Sequence, residues 1–576
     1  MKKFIKNLKF AYKYAKSEKK RLILFTLSNL TGTVFYIVLP IMSAKIVVGI
    51  TNNSYEQVIL LATIILILNF ASNLFHYVAR IAAVKIYRNT LSNIEIDLGK
   101  SILKLKNKSL DEFGTGVFIE RLTSDTSKLS SVFNSILSMG TNVIKYIGIL
   151  ITIFILNKLV FLYLLLSMLI LYLIENKRAK IKNKNDKISR KLSEKVTSFI
   201  SELVRGARDI KMLNSEDSFI DELSLKINAS NNKKFEIEKT DKNHKLLFHS
   251  TFDLFDFFLM IFLILLLRQG ITIPTTAIIL HNYSYNVNGF MSILGDILDY
   301  IKDFNLSAER IYEIINSDKF QKESFGTKTI KKINGNFEFK NVTFAYSDKI
   351  VLKNLSFKIN ANETVAFVGK SGAGKTTIFN LLCKMYDNYN GEITIDNINL
   401  KELDKNSIRG NITVISQNPY IFNMSIRDNL KIVKNDLTNE EMINACKVAC
   451  LDDFVGSLKD GYDTIIGEGG VNLSGGEKQR LAIARALIQK TEIILFDEAT
   501  SALDNKTQRK IAQAINNMKG EYTILIIAHR LSTIIGADRI LFLDDGKIEA
   551  SGNHKYLLNN CPKYKDLYES EISKND

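Results

Sequence analysis

Six long apolar stretches occupy the first half of this 576-residue chain, and short apolar runs alternate with helical patterns in the second. Stretches 22–44 and 58–79 contain no charged residue, and 129–157 is interrupted only by Lys145. Stretch 159–174 starts directly after Lys158, so the third and fourth form a tight hairpin. Stretch 246–267 carries Asp253 and Asp256, and 271–298 is apolar at both ends and polar between. About 20 apolar residues cross a bilayer as a helix, at ~1.5 Å each. The pattern predicts six membrane helices, the short fourth one borrowing flanking residues.

Charge sharpens this picture. The chain is 46% hydrophobic yet has a formal charge of +17, a combination that suits apolar residues in lipid with basic ones beside it. Lys and Arg crowd the segment before the first stretch and segments 80–128 and 175–245; the connections 49–57, 158 and 268–270 hold at most one each. Basic loops stay inside, so both termini and the second half are expected in the cytoplasm, on a multi-pass protein of the cytoplasmic membrane. Basic charge also suits nucleic acid, but no zinc-finger or other nucleic-acid motif occurs, so no such partner is expected. Residues 1–21 interleave Lys with Phe4, Leu8, Phe10, Ala11 and Tyr14, the pattern of an amphipathic basic helix on a membrane surface. The apolar run that follows is too long for a signal-peptide core and has no small-residue cleavage site.

The two inner segments read as helical extensions, with turns expected at 110–116 and 205–210. Inside the apolar stretches, Lys145 and Asp256 each sit about twelve residues from an outer turn, ~18 Å deep, with Asp253 one turn further. Charge at that depth faces water or a partner. Either the carboxylates line a central cavity and bear on a cationic or polar cargo, or they form a structural ion pair with Lys145. The polar run 281–288 is a second cavity candidate, with helix–helix hydrogen bonding the alternative. The four cysteines, Cys383, Cys446, Cys450 and Cys561, fall in the second half, where a cytosolic setting keeps them reduced. Cys446 and Cys450 lack two further nearby ligands, which favours core packing over zinc.

A helix end at 307–315 and a polar, Lys-rich run to 336 form a linker; strand patterns begin at Phe337. Next comes Gly369-Lys370-Ser371-Gly372-Ala373-Gly374-Lys375-Thr376, which fits G-x-x-x-x-G-K-[ST]. An apolar β-branched run, 364–368, precedes it, and a helical pattern opening at Thr377 follows. In that setting the loop curls its N–H groups around phosphates at a helix start, Lys375 reaches the terminal phosphates, and the Thr376 hydroxyl ligates Mg²⁺. The run 493–496 is a buried strand delivering Asp497 and Glu498 at its carboxyl end, where open α/β sheets hold ligands. Asp497 would hold Mg²⁺ and Glu498 would polarise the water that attacks the γ-phosphate. A third constellation, Leu473-Ser474-Gly475-Gly476-Glu477, opens another helix and offers a second anion site. With one phosphate loop per chain, that site points to a nucleotide on a second subunit.

At these residues the chain resembles an exporter-type ATP-binding cassette (ABC) half-transporter, over nearly its whole length. The resemblance implies an α-helical six-span membrane domain followed by an α/β P-loop ABC ATPase domain: 1–21 amphipathic helix, 22–303 membrane domain, 304–336 linker and 337–576 nucleotide-binding domain. It implies ATP and Mg²⁺ as cofactors, and ATP-driven export of an amphipathic, lipid, peptide or drug-like cargo by alternating access. Lys375, Glu498 and His529 would be catalytic, His529 holding the γ-phosphate. Tyr346 would stack on adenine; Gly369 to Thr376 and Thr377 would line the phosphates. Ser474, Gly475 and Gly476 would meet the nucleotide of the partner. Thr376, Gln417 and Asp497 would surround the metal. Glu468 and the turns near Phe113 and Gly206 match contacts between inner loops and ATPase, and Ser501 to Asp504 would cross the dimer interface. The signature carries Glu477 where the family usually has Gln. The intact Glu498, Ser474 and His529 favour a homodimer over a heterodimer with a second half-transporter. An exporter-fold importer of metal chelates or an ATP-gated sensor would share these motifs. The 21 residues ahead of the first stretch leave no room for a processing peptidase.

Overall fold

The computed structural model describes residues 2–316, 319–346, 349–417, 419–467, 470–497, 515, 518–527 and 535–572. They fall into two compact units, Met1–Leu103 with Thr115–Lys319, and Lys104–Gly114 with Phe320–Asp576.

The first unit is helical. Helices α1 (Lys2–Ala15), α2 (Lys19–Thr51) and α3 (Tyr55–Ile102) lead to α4 (Asn107–Phe113), which belongs to the second unit. Then follow α5 (Thr115–Glu120), a π turn at Arg121–Asp125, α6 (Thr126–Ser130), α7 (Val132–Leu156), α8 (Lys158–Met212), α9 (Glu216–Arg268) and α10 (Pro274–Asn316). Five described helical stretches are long and apolar enough to cross a bilayer: Lys2–Thr51, Tyr55–Ile102, Thr115–Leu156, Lys158–Lys182 and Glu216–Arg268. The sixth apolar stretch sits in α10, one continuous helix. On α3, Ile59, Leu60, Leu66, Ile67 and Phe70 are each more than 60% exposed. Water does not sustain such a surface; hydrocarbon does.

Asn157 makes the hairpin between α7 and α8. Its Oδ1 accepts from the Leu159 and Val160 amides at 2.9 and 3.2 Å, capping α8, and its Nδ2 donates to Thr272 Oγ1 at 3.0 Å. The turn expected at 205–210 is not there. Those residues continue α8, because Gly206 alone costs only about 1 kcal/mol in a helix and Arg and Ala flank it. The chain reverses at 213–215, where Asn214 takes φ 51°, a left-handed conformation that Asn tolerates well. Helix α1 does not present all its apolar residues to lipid. Asn7, Ala11, Tyr14 and Ala15 are buried, Phe4 packs edge-on to Phe304, Asn7 donates to Asn305 Oδ1 at 2.8 Å, and Tyr14 donates to Asp97 at 2.6 Å.

Among the described residues, the intramembrane carboxylate Asp256 lies 3.3 Å from His281 Nε2 on α10. Further along α8, Arg178 is buried between Glu175, with which it pairs through Nε and Nη2, and Asp241 of α9 at 2.6 Å.

The second unit contains two larger sheets. Strands β1 (Phe337–Ala345), β2 (Ile350–Ile359), β4 (Asn390–Ile395) and β5 (Ile398–Asn399) form an antiparallel sheet in the order β2-β1-β4-β5. Strands β3 (Thr364–Val368), β6 (Ile412–Ile415), β9 (Ile493–Asp497), β10 (Thr523–Ile527), β11 (Arg539–Asp544) and β12 (Lys547–Gly552) form the other, in the order β12-β11-β3-β10-β9-β6. All neighbours in it are parallel except β11 and β12. Strands β3 and β10 are buried at every residue, so they read as continuous apolar runs without alternation. Among the described residues, helices α11 (Lys375–Leu382), α12 (Lys405–Arg409), α13 (Ile426–Lys431), α14 (Asn439–Val448), α15 (Asp452–Ser457), α16 (Gly475–Gln489), α17 (His554–Asn560) and α18 (Pro562–Ile572) surround these sheets, with the short pair β7 (Met424–Ser425) and β8 (Ile465–Ile466).

Cys446 lies on α14 in the core, whereas Cys450 follows the helix at φ 56° and is half-buried. Burial pushes the Cys383 thiol up to about 12 and Cys446 up to about 11. Alkylation with iodoacetamide at pH 8 should therefore modify Cys450 first and leave Cys383 and Cys446 intact until the protein is denatured, as peptide mass mapping would read.

Candidate functional site: a phosphate loop and its sheet edge

Strand β3 runs into loop 369–374, and α11 opens at Lys375. Glycine is required at two points. Gly374 has φ 100°, and a Cβ there would meet Leu352 Cδ2 at 2.6 Å. A Cβ on Gly369 would stand 2.2 Å from the Leu543 carbonyl oxygen. Lys375 is buried, and its ammonium donates to the carbonyl oxygens of Gly369 at 2.7 Å and Lys370 at 3.1 Å. Its charge is thereby held at the loop.

A cavity of about 410 Å³ opens over this loop. Ser371, Gly372, Gly374, Lys375, Thr376 and Thr377 line one side, Tyr346 another. The Tyr346 hydroxyl sits 3.1 Å from Thr377 Oγ1, and its ring packs edge-on to Phe344 and Tyr386. The turn between β11 and β12 supplies Asp545 and Gly546, which the motif reading missed. Both have positive φ, 45° and 76°, and the Asp-Gly dipeptide between two strand patterns was the available signal.

The Thr376 hydroxyl donates to Asp497 Oδ1 at 3.2 Å, across 121 residues. A hydroxyl and a carboxylate side by side beside a phosphate loop fit the hard-oxygen set that Mg²⁺ takes. The sheet explains the meeting. Strands β3, β10, β9 and β6 are parallel, with Phe367 beside Ile527, Ile527 beside Asp497, and Ile415 beside Phe496. Their carboxyl ends therefore share one edge, the ligand edge of an open α/β sheet. Gln417 follows β6 there, exposed, its carbonyl accepting from Gln479 Nε2 at 3.1 Å. Glu468, Glu498, residues 501–504 and His529 lie outside the described residues.

Ser474 caps α16. Its Oγ accepts from the Glu477 amide at 3.3 Å, and Glu477 Oε2 accepts from the Ser474 amide at 2.7 Å. Glu477, where the family usually has Gln, thus closes a capping box. Gly475 and Gly476 open the helix, and none of Ser474, Gly475 and Gly476 lines the cavity over the phosphate loop.

The segment Lys104–Gly114 packs within the second unit. Lys106 pairs with Asp387 at 2.9 Å, Tyr386 donates to Asp111 Oδ2 at 3.1 Å, and the Phe113 and Phe320 rings lie 4.7 Å apart.

Fold and site define the class: a P-loop nucleotide-binding unit joined to a multi-pass helical membrane unit. The ABC transporter transmembrane region matches residues 22–271, and the ABC transporter family matches residues 352–501. The chain belongs to the ABC transporter family, with the half-transporter order of one membrane region and one ATPase domain. The ATPase domain implies ATP binding. An ATP-dependent lipid A-core flippase of Haemophilus influenzae is 45% identical over 43% of this chain and 43% of its own length. The chain thus spans under half the length of that relative. ABC transporter B family member 1 of Dictyostelium discoideum is 34% identical over 84% of this chain and 54% of its own. A bacterial Atm1-family ABC exporter with ATP bound shares the fold at a TM-score of 0.85 and 24% identity, over 96% of this chain and 98% of that one.

Proposed function

We propose that the protein is an ATP-driven exporter of an amphipathic, lipid, peptide or drug-like cargo, working as a dimer in the cytoplasmic membrane with both termini and the ATPase domain inside. One observation carries the dimer: the signature residues Ser474, Gly475 and Gly476 are absent from the walls of the cavity over their own chain's phosphate loop. A helix start with two glycines and a serine hydroxyl is an anion site in search of a phosphate. A second copy, turned about a two-fold axis, supplies one for each chain. The intact set of motifs in this chain favours the same polypeptide as that second copy over a different half-transporter.

In this reading Lys375 and the loop 369–376 hold the phosphates, Thr376, Asp497 and Gln417 surround Mg²⁺, and Tyr346 covers the base. Bound ATP supplies the γ-phosphoryl group, and Mg²⁺ the charge that offsets it. Glu498 orients the water, and His529 holds the γ-phosphate. Closure of the two ATPase units swings the inner loops together and turns the membrane cavity outward. The ATP-dependent lipid A-core flippase among the relatives supports ATP-driven movement of a lipid-like cargo.

The test is Glu498→Gln in the purified full-length chain. ATP binding should persist while steady-state turnover falls about 100-fold or more, the size of effect seen when a group acting only in the transition state is removed. Turnover at the level of the unaltered protein would take Glu498 out of its role.

A further inference from the structure

We infer that Tyr386 is a positioning residue that ties the inner loop between α3 and α5 to the base side of the nucleotide cavity. Its ring sets Tyr346, and its hydroxyl holds Asp111. This rests on the reading above, in which the cavity takes ATP and Tyr346 faces the base.

The geometry is specific. Tyr386 follows α11, the helix that begins with Lys375, after a left-handed turn at Lys384 with φ 50°. Its ring meets Tyr346 edge-on, centroids 5.0 Å apart at 89°, and Phe344 at 5.6 Å and 60°. Edge-to-face pairs fix both distance and tilt, so the Tyr346 ring is held by Phe344 and Tyr386 and pinned at its tip by Thr377. Tyr386 itself is not among the residues lining the cavity. It acts on the nucleotide only through Tyr346.

The other end of Tyr386 points away from the cavity. Its hydroxyl donates to Asp111 Oδ2 at 3.1 Å, and burial, with the Asp111 carboxylate, raises its pKa, so it stays a donor at all physiological pH. The next residue repeats the grip: Asp387 pairs with Lys106 at 2.9 Å and accepts from Ser324. Two consecutive residues thus clamp the two ends of α4. The backbone anchors α4 further, Lys106 N donating to Gln321 O at 2.9 Å and Glu323 N to Lys104 O at 2.8 Å. The chain on either side of this segment, up to Leu103 and from Thr115, belongs to the membrane unit. A pull on α3 or α5 therefore reaches Tyr386 through Asp111, and Tyr346 through Tyr386. The predicted consequence is on nucleotide affinity, because a group that shapes only the base pocket contributes equally to ground and transition states.

The experiment measures KM and kcat for ATP in the full-length protein reconstituted in lipid nanodiscs. Tyr386→Leu removes the edge-on contact and should raise KM about 3- to 10-fold, the worth of one aromatic pair, with kcat within about twofold. Combined with Tyr346→Ala, it should add nothing to the effect of Tyr346→Ala alone. Tyr386→Phe keeps the ring and drops the hydroxyl; Asp111→Ala, at an exposed position of α4, drops the acceptor. These two should shift KM in one direction by the same two- to threefold, and together no further than either. Additive effects of Tyr386→Leu and Tyr346→Ala, or a change in kcat with KM unmoved, would overturn the assignment. So would additive shifts from Tyr386→Phe and Asp111→Ala. If the unaltered protein does not bind ATP, it is the functional reading that fails instead.

Discussion

Lys375→Ala should abolish nucleotide binding at the concentrations where the unaltered protein is saturated, with affinity for ATP falling about 100-fold or more. The Lys375 ammonium is buried and tethered to the Gly369 and Lys370 carbonyls. Two effects add on its removal. A hydrogen bond to a charged group is worth about 1.5–3 kcal/mol, and in the proposed role the ammonium would reach more than one phosphate oxygen. Each 1.4 kcal/mol is about tenfold in affinity. The two loop carbonyls also lose their donor, so the empty loop no longer keeps its curl. Lys375→Met refills the side-chain volume without the ammonium, so it separates lost packing from the lost cation. If the charge dominates, Met behaves as Ala does. Equilibrium binding of ATP to each variant, read before any turnover assay, decides it. ATP binding by Lys375→Ala within about threefold of the unaltered protein would remove the loop from its role.

What the sequence made legible, and what it hid, follows contact range. The phosphate loop is eight consecutive residues, so its glycines and lysine identify it without any fold, and Gly374 takes the positive φ it implies. Asp497 was legible for another reason: an apolar run ending in carboxylates marks a strand's carboxyl end, and the parallel register carries it to Thr376. The reversal at 213–215 was misplaced at 205–210, although Asn214, which takes φ 51°, is a residue type that accepts the left-handed turn better than most. The sequence left the partner of Asp256 open, because Lys145 and Asp256 share a depth and depth says nothing about which helix faces which; His281, on α10, is the neighbour. The Tyr386–Asp111 link spans 275 residues and no pattern announces it. The cargo is hidden for a related reason: a cavity between helices is assembled from one residue per turn of several elements, and no spacing within one element encodes it.

Arg178→Met carries the largest expected effect on stability. The Arg178 guanidinium is 6% exposed and bridges Glu175 on its own helix to Asp241 on α9, which also meets Lys245 at 3.7 Å. Taking the cation away leaves two carboxylates close together, one of them buried, with Lys245 beside Asp241. Breaking a buried ion pair from one side costs about 3–5 kcal/mol, mostly for the charge left behind. The same principle predicts the cure. Arg178→Met with Glu175→Gln and Asp241→Asn removes every stranded charge, and the loss should shrink to about 1 kcal/mol or reverse. The chain has no Trp, so intrinsic fluorescence is a poor monitor. Size-exclusion of detergent-solubilised protein after stepwise heating serves instead. The single variant should lose its monodisperse peak well below the unaltered protein, and the triple variant should regain most of the difference. If the triple variant is as unstable as the single one, the Arg178 side chain holds α8 to α9 by its shape and hydrogen bonds, and charge burial is not the reason the network exists.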